Sequence, residues 1–295
     1  MLSGPLRTAL ELAIARATGA PFAIRRATPA SGGCIHSSWV LESDGARYFA
    51  KTNDAGFTAA FAAEADGLAA LATAGMRVPR PIARGEADGS AFLVLEHLSL
   101  GGGSNAAFRA LGRELARLHA RCGSEFGWHR DNLIGLTPQS NARHAAWAGF
   151  WQRERLAPQL ALAARNGHRG ELQSLGERLI DAVPALLAGH APAPSLLHGD
   201  LWGGNAAFLG DGTPVVFDPA VYYGDAEADL AMTELFGGFP PGFYAGYREV
   251  NPIDESGYRL RRDLYNLYHV LNHLNLFGGG YRAQAVRMME RVLAA

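Results

Sequence analysis

The sequence predicts an α+β protein of two lobes, in which a small antiparallel sheet with one main helix precedes a larger, mainly helical lobe. Two hairpin signals and two helical patterns lie in the first 98 residues, a glycine run at 101–103 follows them, and helical patterns dominate the remainder. We therefore expect an N-terminal lobe at 1–98 and a C-terminal lobe at 99–295. A ligand site is expected in the cleft between two such lobes.

The elements of the N-terminal lobe are predicted from turn residues and from helical spacing. An amphipathic helix fits the first 19 residues. Asp-Gly pairs, the dipeptide most typical of a two-residue hairpin turn, predict hairpins at 37–52 and 81–98. Between the hairpins, apolar residues at helical spacing predict a helix over 57–74.

The C-terminal lobe is predicted to be helical apart from one short hairpin. Its expected helices are 105–119, 143–166, 171–189, 226–236, 257–275 and 280–293. An Asp-Gly turn between two short apolar runs predicts strands at 205–209 and 214–217.

Composition excludes several classes of protein. The chain has 295 residues, of which 48% are hydrophobic, and a net charge of −1, so nucleic acid and anionic membrane surfaces are not expected partners. Two cysteines, Cys34 and Cys122, favour a reducing compartment over a disulfide scaffold. We find no secretory signal and no apolar run near the roughly 20 residues that span a bilayer. A cytoplasmic location is expected.

Lysine usage identifies one residue for closer attention. Lysine and arginine together number 27, and Lys51 is the single lysine. A compact ammonium that arginine does not replace indicates a specific chemical requirement. Glu64 interrupts the apolar face of the predicted helix 57–74, where a carboxylate is costly unless a cation meets it. We expect Lys51 to pair with Glu64 and to reach a nucleotide phosphate; the alternative is a surface lysine and a helix-edge glutamate.

The strongest chemical signal is the segment HGDLWGGN at 198–205, which Asp218 follows after the short hairpin. Phosphoryl transfer to a hydroxyl needs a carboxylate at the acceptor oxygen and magnesium ions across the phosphates. Asp200 is the candidate catalytic residue that orients the acceptor and takes its proton, and Asn205 and Asp218 are the candidate ligands of Mg²⁺. This spacing is the arrangement of the catalytic and metal-binding loops of protein kinases.

Weaker signals complete a predicted ATP site. Gly32 and Gly33 allow backbone amides to approach phosphates closely. Cys34, in the same loop, raises the hypothesis of an oxidisable thiol that links two chains; an inert small residue is the alternative. The backbone from Glu96 to Leu98, just before the glycine run, is the candidate for hydrogen bonds to adenine.

Two further residues are candidates for supporting the catalytic loop. Asp229 is expected to accept backbone hydrogen bonds at the start of a helix, and His198 to brace the same loop. A second segment, 128–132, contains the triplet His-Arg-Asp that is typical of kinase catalytic loops, but Leu136 stands where an asparagine is needed. We interpret 128–132 as a structural or substrate-side loop.

Several stretches over nearly the whole chain carry a family resemblance. They include GGCIHSSW (32–39), FAAEADGLAAL (61–71), FGWHRDNLIGLTPQSN (126–141), LLHGDLWGGN (196–205), FDPAVYYGDAEADLAMTELFGGF (217–239) and LYNLYHVLNHLNLFGGGY (264–281). With them the sequence resembles the fructosamine kinase (ketosamine-3-kinase) family, a relative of the aminoglycoside and choline phosphotransferases within the protein-kinase-like fold. Gly203 and Ala226 depart from the serine and arginine common in that family.

The resemblance implies ATP-dependent phosphorylation of the 3-hydroxyl of a ketosamine, either a small molecule or a glycated protein. The unstable 3-phosphate then falls apart and frees the amine, which is deglycation. Candidates for substrate contact are the stacking or hydrogen-bonding residues Trp202, Tyr222, Tyr223, His273 and Asn275, and the acids Asp225 and Glu227, which would attract an ammonium. For each of the aromatic residues, packing in the core is an equal alternative.

Two other functions stay open. The chain is compatible with another small-molecule kinase of the same fold, acting on an aminoglycoside, choline or a simple sugar. It is also compatible with an inactive pseudokinase that serves as a binding module, although the intact set Lys51, Asp200, Asn205 and Asp218 argues against this. A monomer and a Cys34-linked dimer are both consistent with the sequence.

Overall fold

Turn glycines and short apolar runs place the strands, and longer amphipathic patterns place the helices. The computed structural model describes residues 2–30, 36–253 and 255–295. The strands are β1 (Arg26–Pro29), β2 (Ser37–Ser43), β3 (Ala46–Asp54), β4 (Pro81–Ala87), β5 (Ser90–Glu96), β6 (Asn132–Ile134), β7 (Thr137–Gln139), β8 (Ser195–Leu197), β9 (Ala206–Phe208), β10 (Pro214–Val216) and β11 (Tyr222–Gly224). The helices are α1 (Gly4–Thr18), α2 (Thr58–Thr73), α3 (Asn105–His119), α4 (Trp147–Phe150), α5 (Ala157–Arg165), α6 (Glu171–Leu186), α7 (Ala226–Glu234), α8 (Pro241–Arg248), α9 (Tyr258–Phe277) and α10 (Arg282–Leu293).

The first five strands form one antiparallel sheet in the order β1-β2-β3-β5-β4. Both predicted hairpins are present, and each turns at a glycine with positive φ, Gly45 at 80° and Gly89 at 68°. Lys51 lies on the central strand β3, opposite Ser38 of β2 and Leu93 of β5. The edge strand β1 is an addition to the prediction, because four residues are too few to show alternation.

The predicted helix between the hairpins is α2. A 3₁₀ turn at Ala55–Phe57 precedes it, capped by the Asp54 side chain, which accepts a hydrogen bond from the amide of Gly56. Phe61, Leu68 and Leu71 are buried on α2 and share a core with Leu93 and Leu95 of β5. The packing of this face against the sheet fixes the position of every other residue on α2.

The helical part of the chain differs from the prediction at several points. The helix expected over 143–166 begins at Trp147 and contains a π-helical turn, Trp151–Leu156, between α4 and α5. The hairpin β6–β7 and the helix α8 were not predicted. The expected strand pair at 205–209 and 214–217 is present as β9 and β10.

A second short pair of strands, β8 with β11, bounds the segment that carries the candidate site residues. Residues 195–197 pair antiparallel with residues 222–224. The chain between these two strands leaves the pair, runs through 198–205, forms the β9–β10 hairpin and returns past Asp218. The two strands are three residues long and far apart in sequence, so no local pattern reveals their pairing.

None of the helices in the described ranges has the length and apolar character needed to cross a bilayer. The division of the chain into lobes at 98/99 stays a prediction.

Candidate active site

Lys51 holds the first part of the site. Its Nζ lies 2.7 Å from Oε1 of Glu64 on α2 and 2.5 Å from Oδ1 of Asp218. The lysine is 5% exposed. Burial alone would lower the pKa of Lys51, but the two carboxylates outweigh burial and raise it, so the ammonium stays charged. The expected Lys51–Glu64 pair is present, and the lysine also reaches Asp218.

Asp218 adopts a left-handed backbone conformation with φ of 55°. Aspartate tolerates this region better than most residues do. Its side chain remains 46% exposed although one oxygen contacts Lys51. Burial would raise the pKa of Asp218, yet the Lys51 ammonium lowers it. Asp218 therefore presents a charged carboxylate that is still open on one side.

Asp200 and Asn205 are joined by direct hydrogen bonds within one loop. Nδ2 of Asn205 donates to the carbonyl oxygen of Asp200 at 2.8 Å and to its Oδ2 at 3.1 Å. Burial, and secondly the charge of Asp218, raise the pKa of Asp200 to about 7. A carboxyl group with a pKa near neutrality suits proton transfer at physiological pH.

Asp229 and His198 hold the backbone of this loop. Asp229, in the first turn of α7, accepts hydrogen bonds from the amides of His198 at 2.7 Å and Gly199 at 2.9 Å. His119 of α3 contacts the same carboxylate at 3.2 Å. Burial lowers the pKa of His198, whose Nε2 lies 3.1 Å from the carbonyl oxygen of Phe217. A neutral His198 therefore links the segment before Asp218 to the loop that carries Asp200.

The donor atoms fit a magnesium ion. Asn205 uses its Nδ2 within the loop, which leaves its amide oxygen as a ligand, and Asp218 has an exposed carboxylate oxygen. Mg²⁺ prefers such oxygen ligands and takes few of them from the protein, because it retains water and phosphate oxygens. Asn205 and Asp218 would hold the ion.

The comparison with known proteins identifies the family. The family model described as fructosamine kinase matches residues 7–295. The chain belongs to the fructosamine kinase family. A protein named "Probable ketoamine kinase" from Synechocystis sp. is 49% identical to this family member over 282 residues, which are 95% of this chain and 94% of the relative. A chloroplastic protein-ribulosamine 3-kinase from Oryza sativa is 41% identical over 266 residues, 89% and 77% of the two chains.

Solved structures show the same fold. A protein from Haemophilus somnus, named provisionally as a fructosamine-3-kinase, has a TM-score of 0.88 at 30% identity, with 96% of both chains covered. An aminoglycoside phosphotransferase shares the fold alone, with a TM-score of 0.63 at 15% identity over 96% of this chain and 98% of its own. This member of the fructosamine kinase family is thus a kinase of the protein-kinase-like fold, as the sequence predicts.

Two of the predicted substrate residues lie on an exposed aromatic surface near Asp200. The ring centroids of Trp202 and Phe236 are 6.3 Å apart, and those of Phe236 and His273 are 4.5 Å apart. One turn before His273, Nδ1 of His269 lies 4.0 Å from Oδ1 of Asp200. The three rings, Trp202, Phe236 and His273, are called the aromatic surface below.

The structure corrects the expectation for Tyr222 and leaves that for Tyr223 open. Tyr222 is 3% exposed and stacks on Phe150, with the guanidinium carbon of Arg155 4.0 Å from its ring centroid. Tyr223 packs against Trp128 at 5.2 Å. Both tyrosines lie on β11. Tyr222 packs in the interior, so packing replaces its predicted substrate contact, whereas Tyr223 is half-buried and its substrate contact stays a prediction.

Asp225 and Glu227 are also engaged inside the protein. Asp225 accepts hydrogen bonds from the hydroxyl of Tyr265 and the amide of Glu227, and contacts Nε2 of His190 at 2.6 Å. Glu227 forms a two-point ion pair with Arg261. Both acids are buried and already matched by cations or donors, so a role in attracting a substrate ammonium is replaced by a structural one.

The side chain of Asn275 is likewise engaged by neighbouring residues. Its Nδ2 donates to the carbonyl oxygen and to Oε1 of Gln159, and its Oδ1 accepts from Asn166. These contacts tie the end of α9 to α5.

The structure describes only some of the residues that are expected to contact adenine and phosphate. The side chain of Glu96 forms a two-point ion pair with Arg77, which lowers the pKa of Glu96, and its amide donates to the carbonyl of Arg80. In the part of the chain that the structure describes, the amide of Leu98 has no backbone partner. Gly32, Gly33 and Cys34 lie outside the described residues.

The segment 128–132 docks on α2. Nε1 of Trp128 donates to Oδ2 of Asp66 at 2.9 Å, and Nε2 of His129 lies 3.2 Å from the same oxygen. Oδ1 of Asp131 accepts from the amide of Asn141. The structural interpretation of this loop agrees with these contacts.

Sequence reasoning missed Phe236 and His269. Phe236 has a φ of 53°, a conformation that is rare for a bulky side chain and concentrated at functional sites. The run Phe236-Gly237-Gly238 is the one local signal for such a turn. Burial lowers the pKa of His269 to about 3, so a neutral imidazole lies beside Asp200.

Proposed function

We propose that this kinase transfers the γ-phosphoryl group of ATP to the 3-hydroxyl of a ketosamine. One set of contacts supports the proposal above all: Nζ of Lys51 on β3 lies 2.5 Å from Asp218, which follows β10. The charge of Asp218 acts on Asp200, whose carboxylate accepts a hydrogen bond from Asn205. The names of the relatives, ketoamine kinase and ribulosamine 3-kinase, favour a ketosamine as the acceptor.

Asp200 acts on the acceptor. Its carboxylate, held by Asn205, takes the proton of the 3-hydroxyl as that oxygen attacks the γ-phosphorus. The bond from the γ-phosphorus to its bridging oxygen breaks, and the electron pair leaves with ADP. Positioning of the attacking oxygen is the main contribution of such a carboxylate to phosphoryl transfer.

Lys51 and the metal ligands act on the donor. Lys51, oriented by Glu64, contributes a permanent positive charge for a phosphate of the nucleotide. Mg²⁺ held by Asn205 and Asp218 would neutralise charge on the phosphate oxygens of bound ATP. Lys51 contacts Asp218 in this structure, so the lysine lies beside the carboxylate that would hold the metal.

The aromatic surface is the proposed place for the acceptor. Trp202 and Phe236 offer exposed rings on which the apolar face of a sugar can lie, and His273 is adjacent to them. Phosphorylation there yields a 3-phosphate whose breakdown frees the amine. The acceptor class includes adducts of free amines and of protein lysines.

The proposal also covers the cellular location and the oligomeric state of the protein. Two cysteines in 295 residues favour the cytoplasm. The choice between a monomer and a dimer linked through Cys34 stays a prediction, because Cys34 lies outside the described residues.

The test is a panel of acceptors with two matched variants. ADP release is measured with lysine adducts of ribulose, erythrulose and fructose, and with an aminoglycoside and choline. We expect turnover with the ketosamines. The variant Asp200→Asn should lower kcat by about 10²- to 10⁴-fold while ATP binding is retained.

The control is Asp131→Asn, which changes the aspartate of the second His-Arg-Asp triplet and should keep most of the turnover. A preference for the aminoglycoside over every ketosamine would refute the proposed acceptor. Near-normal turnover of Asp200→Asn would refute the role of Asp200.

A further inference from the structure

A groove of about 920 Å³ lies on the side of α2 that faces away from Lys51. It is bounded by α2, by the segment that leads into the edge strand β4, and by Arg130 of the loop 128–132. The lining positions 62, 65, 69 and 72 recur every three or four residues and so share one face of α2. Glu64 lies on the other side of the helix. Of the residues predicted to contact the nucleotide, Glu96 alone lines the groove in the described ranges, and it does so beside Arg77, with which its side chain is paired.

The groove is shallow, and its wall is apolar. Four alanines of α2 line it, together with Met76, Val78 and Pro81. Alanine side chains leave room in this groove that larger residues would fill.

The rim of the groove is cationic. Arg77, Arg80, Arg84 and Arg130 line it against two acids, Glu96 and Asp66, which leaves an excess of two positive charges. Both acids are already engaged, Glu96 with Arg77 and Asp66 with Trp128 and His129.

Three of these arginines are weakly engaged. Within the described ranges, the guanidinium groups of Arg80 and Arg84 form no hydrogen bond or ion pair, although the charge of Arg80 acts on Glu96. Arg130 donates one long hydrogen bond, 3.4 Å, to the carbonyl oxygen of Ala62. Guanidinium groups bind carboxylates and sulfonates through paired N–H donors, so these groups are available to an anion.

We propose that this groove binds a small organic anion, a carboxylate or sulfonate attached to an apolar body. The anionic group meets Arg80 and Arg84 at the rim, and the apolar body lies on the alanine face of α2. The proposal is independent of the acceptor and of the chemistry at Asp200, because none of the catalytic side chains lines the groove.

The probe for the test is 8-anilinonaphthalene-1-sulfonate, whose fluorescence rises in an apolar site. The 295-residue chain is titrated in the presence of a saturating non-hydrolysable ATP analogue, so that the nucleotide site is occupied. We expect one saturable class of sites, weakened by added salt because the contact is ionic.

Two groove variants and two matched controls decide the proposal. Arg80→Glu with Arg84→Glu reverses the rim charge, and Ala69→Trp fills the apolar wall. Each should weaken binding of the probe by at least about tenfold. Arg143→Glu, an exposed arginine elsewhere, and Ala59→Trp, on the same helix outside the groove, should leave it unchanged.

The outcomes are distinct from those for the kinase reaction. Loss of binding in the groove variants alone, with unchanged far-ultraviolet circular dichroism, supports the proposal. Retention of binding in both groove variants, equal loss in the controls, or no saturable binding to the unmodified protein overturns it. Turnover with a ketosamine has no part in the readout.

Discussion

A single ammonium shared by two carboxylates defines the site at the scale of residues. Lys51 is buried between Glu64 and Asp218, at 2.7 and 2.5 Å. Such a cation must be small, because a planar guanidinium presents its donors in one fixed plane and needs more room. This accounts for one lysine in a chain that otherwise uses arginine for its positive charge.

The first prediction concerns that choice of cation. Lys51→Arg preserves the charge but moves the donors away from one of the two carboxylates, and displacement of a reacting group by about 1 Å can cost about 10²-fold in rate. We expect kcat/KM for ATP to fall by about that factor, measured by ADP release at varied ATP.

The reverse exchange Arg143→Lys, at an exposed position, is the control and should leave kcat/KM unchanged. If Lys51→Arg retained full activity, the size of the ammonium would have no importance, and Lys51 would need another explanation.

At the scale of elements, α7 and α3 fix the catalytic loop. Asp229 of α7 accepts the amides of His198 and Gly199, and His119 of α3 contacts the same carboxylate. Although burial alone would raise the pKa of Asp229, the hydrogen bonds from His119 and the loop amides outweigh it and lower the pKa below its usual value. The charged form therefore stabilises the folded state.

The second prediction follows from that lowered pKa. Asp229→Asn should reduce the free energy of unfolding by about 1.5 to 3 kcal/mol at pH 7, the contribution of a hydrogen bond to a charged group. The aspartate stabilises the fold above its unfolded pKa of about 3.9, and this stabilisation is lost as the pH falls through the lower folded pKa. The difference between the two proteins should therefore shrink below about pH 4.

The measurement is urea unfolding of both proteins between pH 7 and pH 3.5. Asp44→Asn, an exposed residue of the β2–β3 turn, is the control and should change the free energy of unfolding little. A difference between wild type and Asp229→Asn that grows towards low pH would contradict the assignment.

Elements with a local signal were predictable from the sequence. Asp-Gly turns fixed the two hairpins, and the spacing of Phe61, Leu68 and Leu71 fixed α2 and hence the place of Glu64 beside Lys51. The spacing from Asp200 to Asn205, with Asp218 one hairpin later, indicated three residues that the structure brings to one place.

Features that depend on distant partners were not predictable. Tyr222 resembles an exposed stacking residue in the sequence, but the β8–β11 pair and the buried Arg155 place it in the interior. Asp225 and Glu227 appear as free acids in the sequence, but in the structure they contact His190 and Arg261. Phe236 is visible as an aromatic beside two glycines, while its proximity to Trp202 and His273 depends on the loop 198–205 and on α9, which are separate in sequence.

At the scale of the whole molecule, contacts that join distant parts of the chain hold the site together. Nζ of Lys51 meets Asp218, the indole of Trp128 meets Asp66, and the amide of Val216 donates to the carbonyl of Arg77. Only the first of these contacts involves a proposed metal ligand. Of these three contacts, a nucleotide with its metal would therefore act on the one between Lys51 and Asp218.

The last prediction tests that connection. Asp218→Asn removes a proposed metal ligand and leaves Lys51 paired with Glu64, so the nucleotide-free variant should lose little stability because the Asp218 side chain is half exposed. ATP with Mg²⁺ at about 100 times its Kd should stabilise the wild type by about 2.7 kcal/mol, and the variant by much less. Thermal unfolding with ATP, in Mg²⁺ or in a chelator, separates the two contributions.

Asp211→Asn, on the turn of the same β9–β10 hairpin, is the matched control and should keep the full effect of Mg²⁺. The comparison distinguishes a metal ligand from a purely structural residue. A structural residue would lower the melting temperature equally with and without Mg²⁺, whereas a ligand removes the Mg²⁺-dependent gain. An equal Mg²⁺-dependent gain in stability in Asp218→Asn and wild type would contradict the role of Asp218 as a metal ligand. Asp218 would then adopt its left-handed conformation for its contact with Lys51.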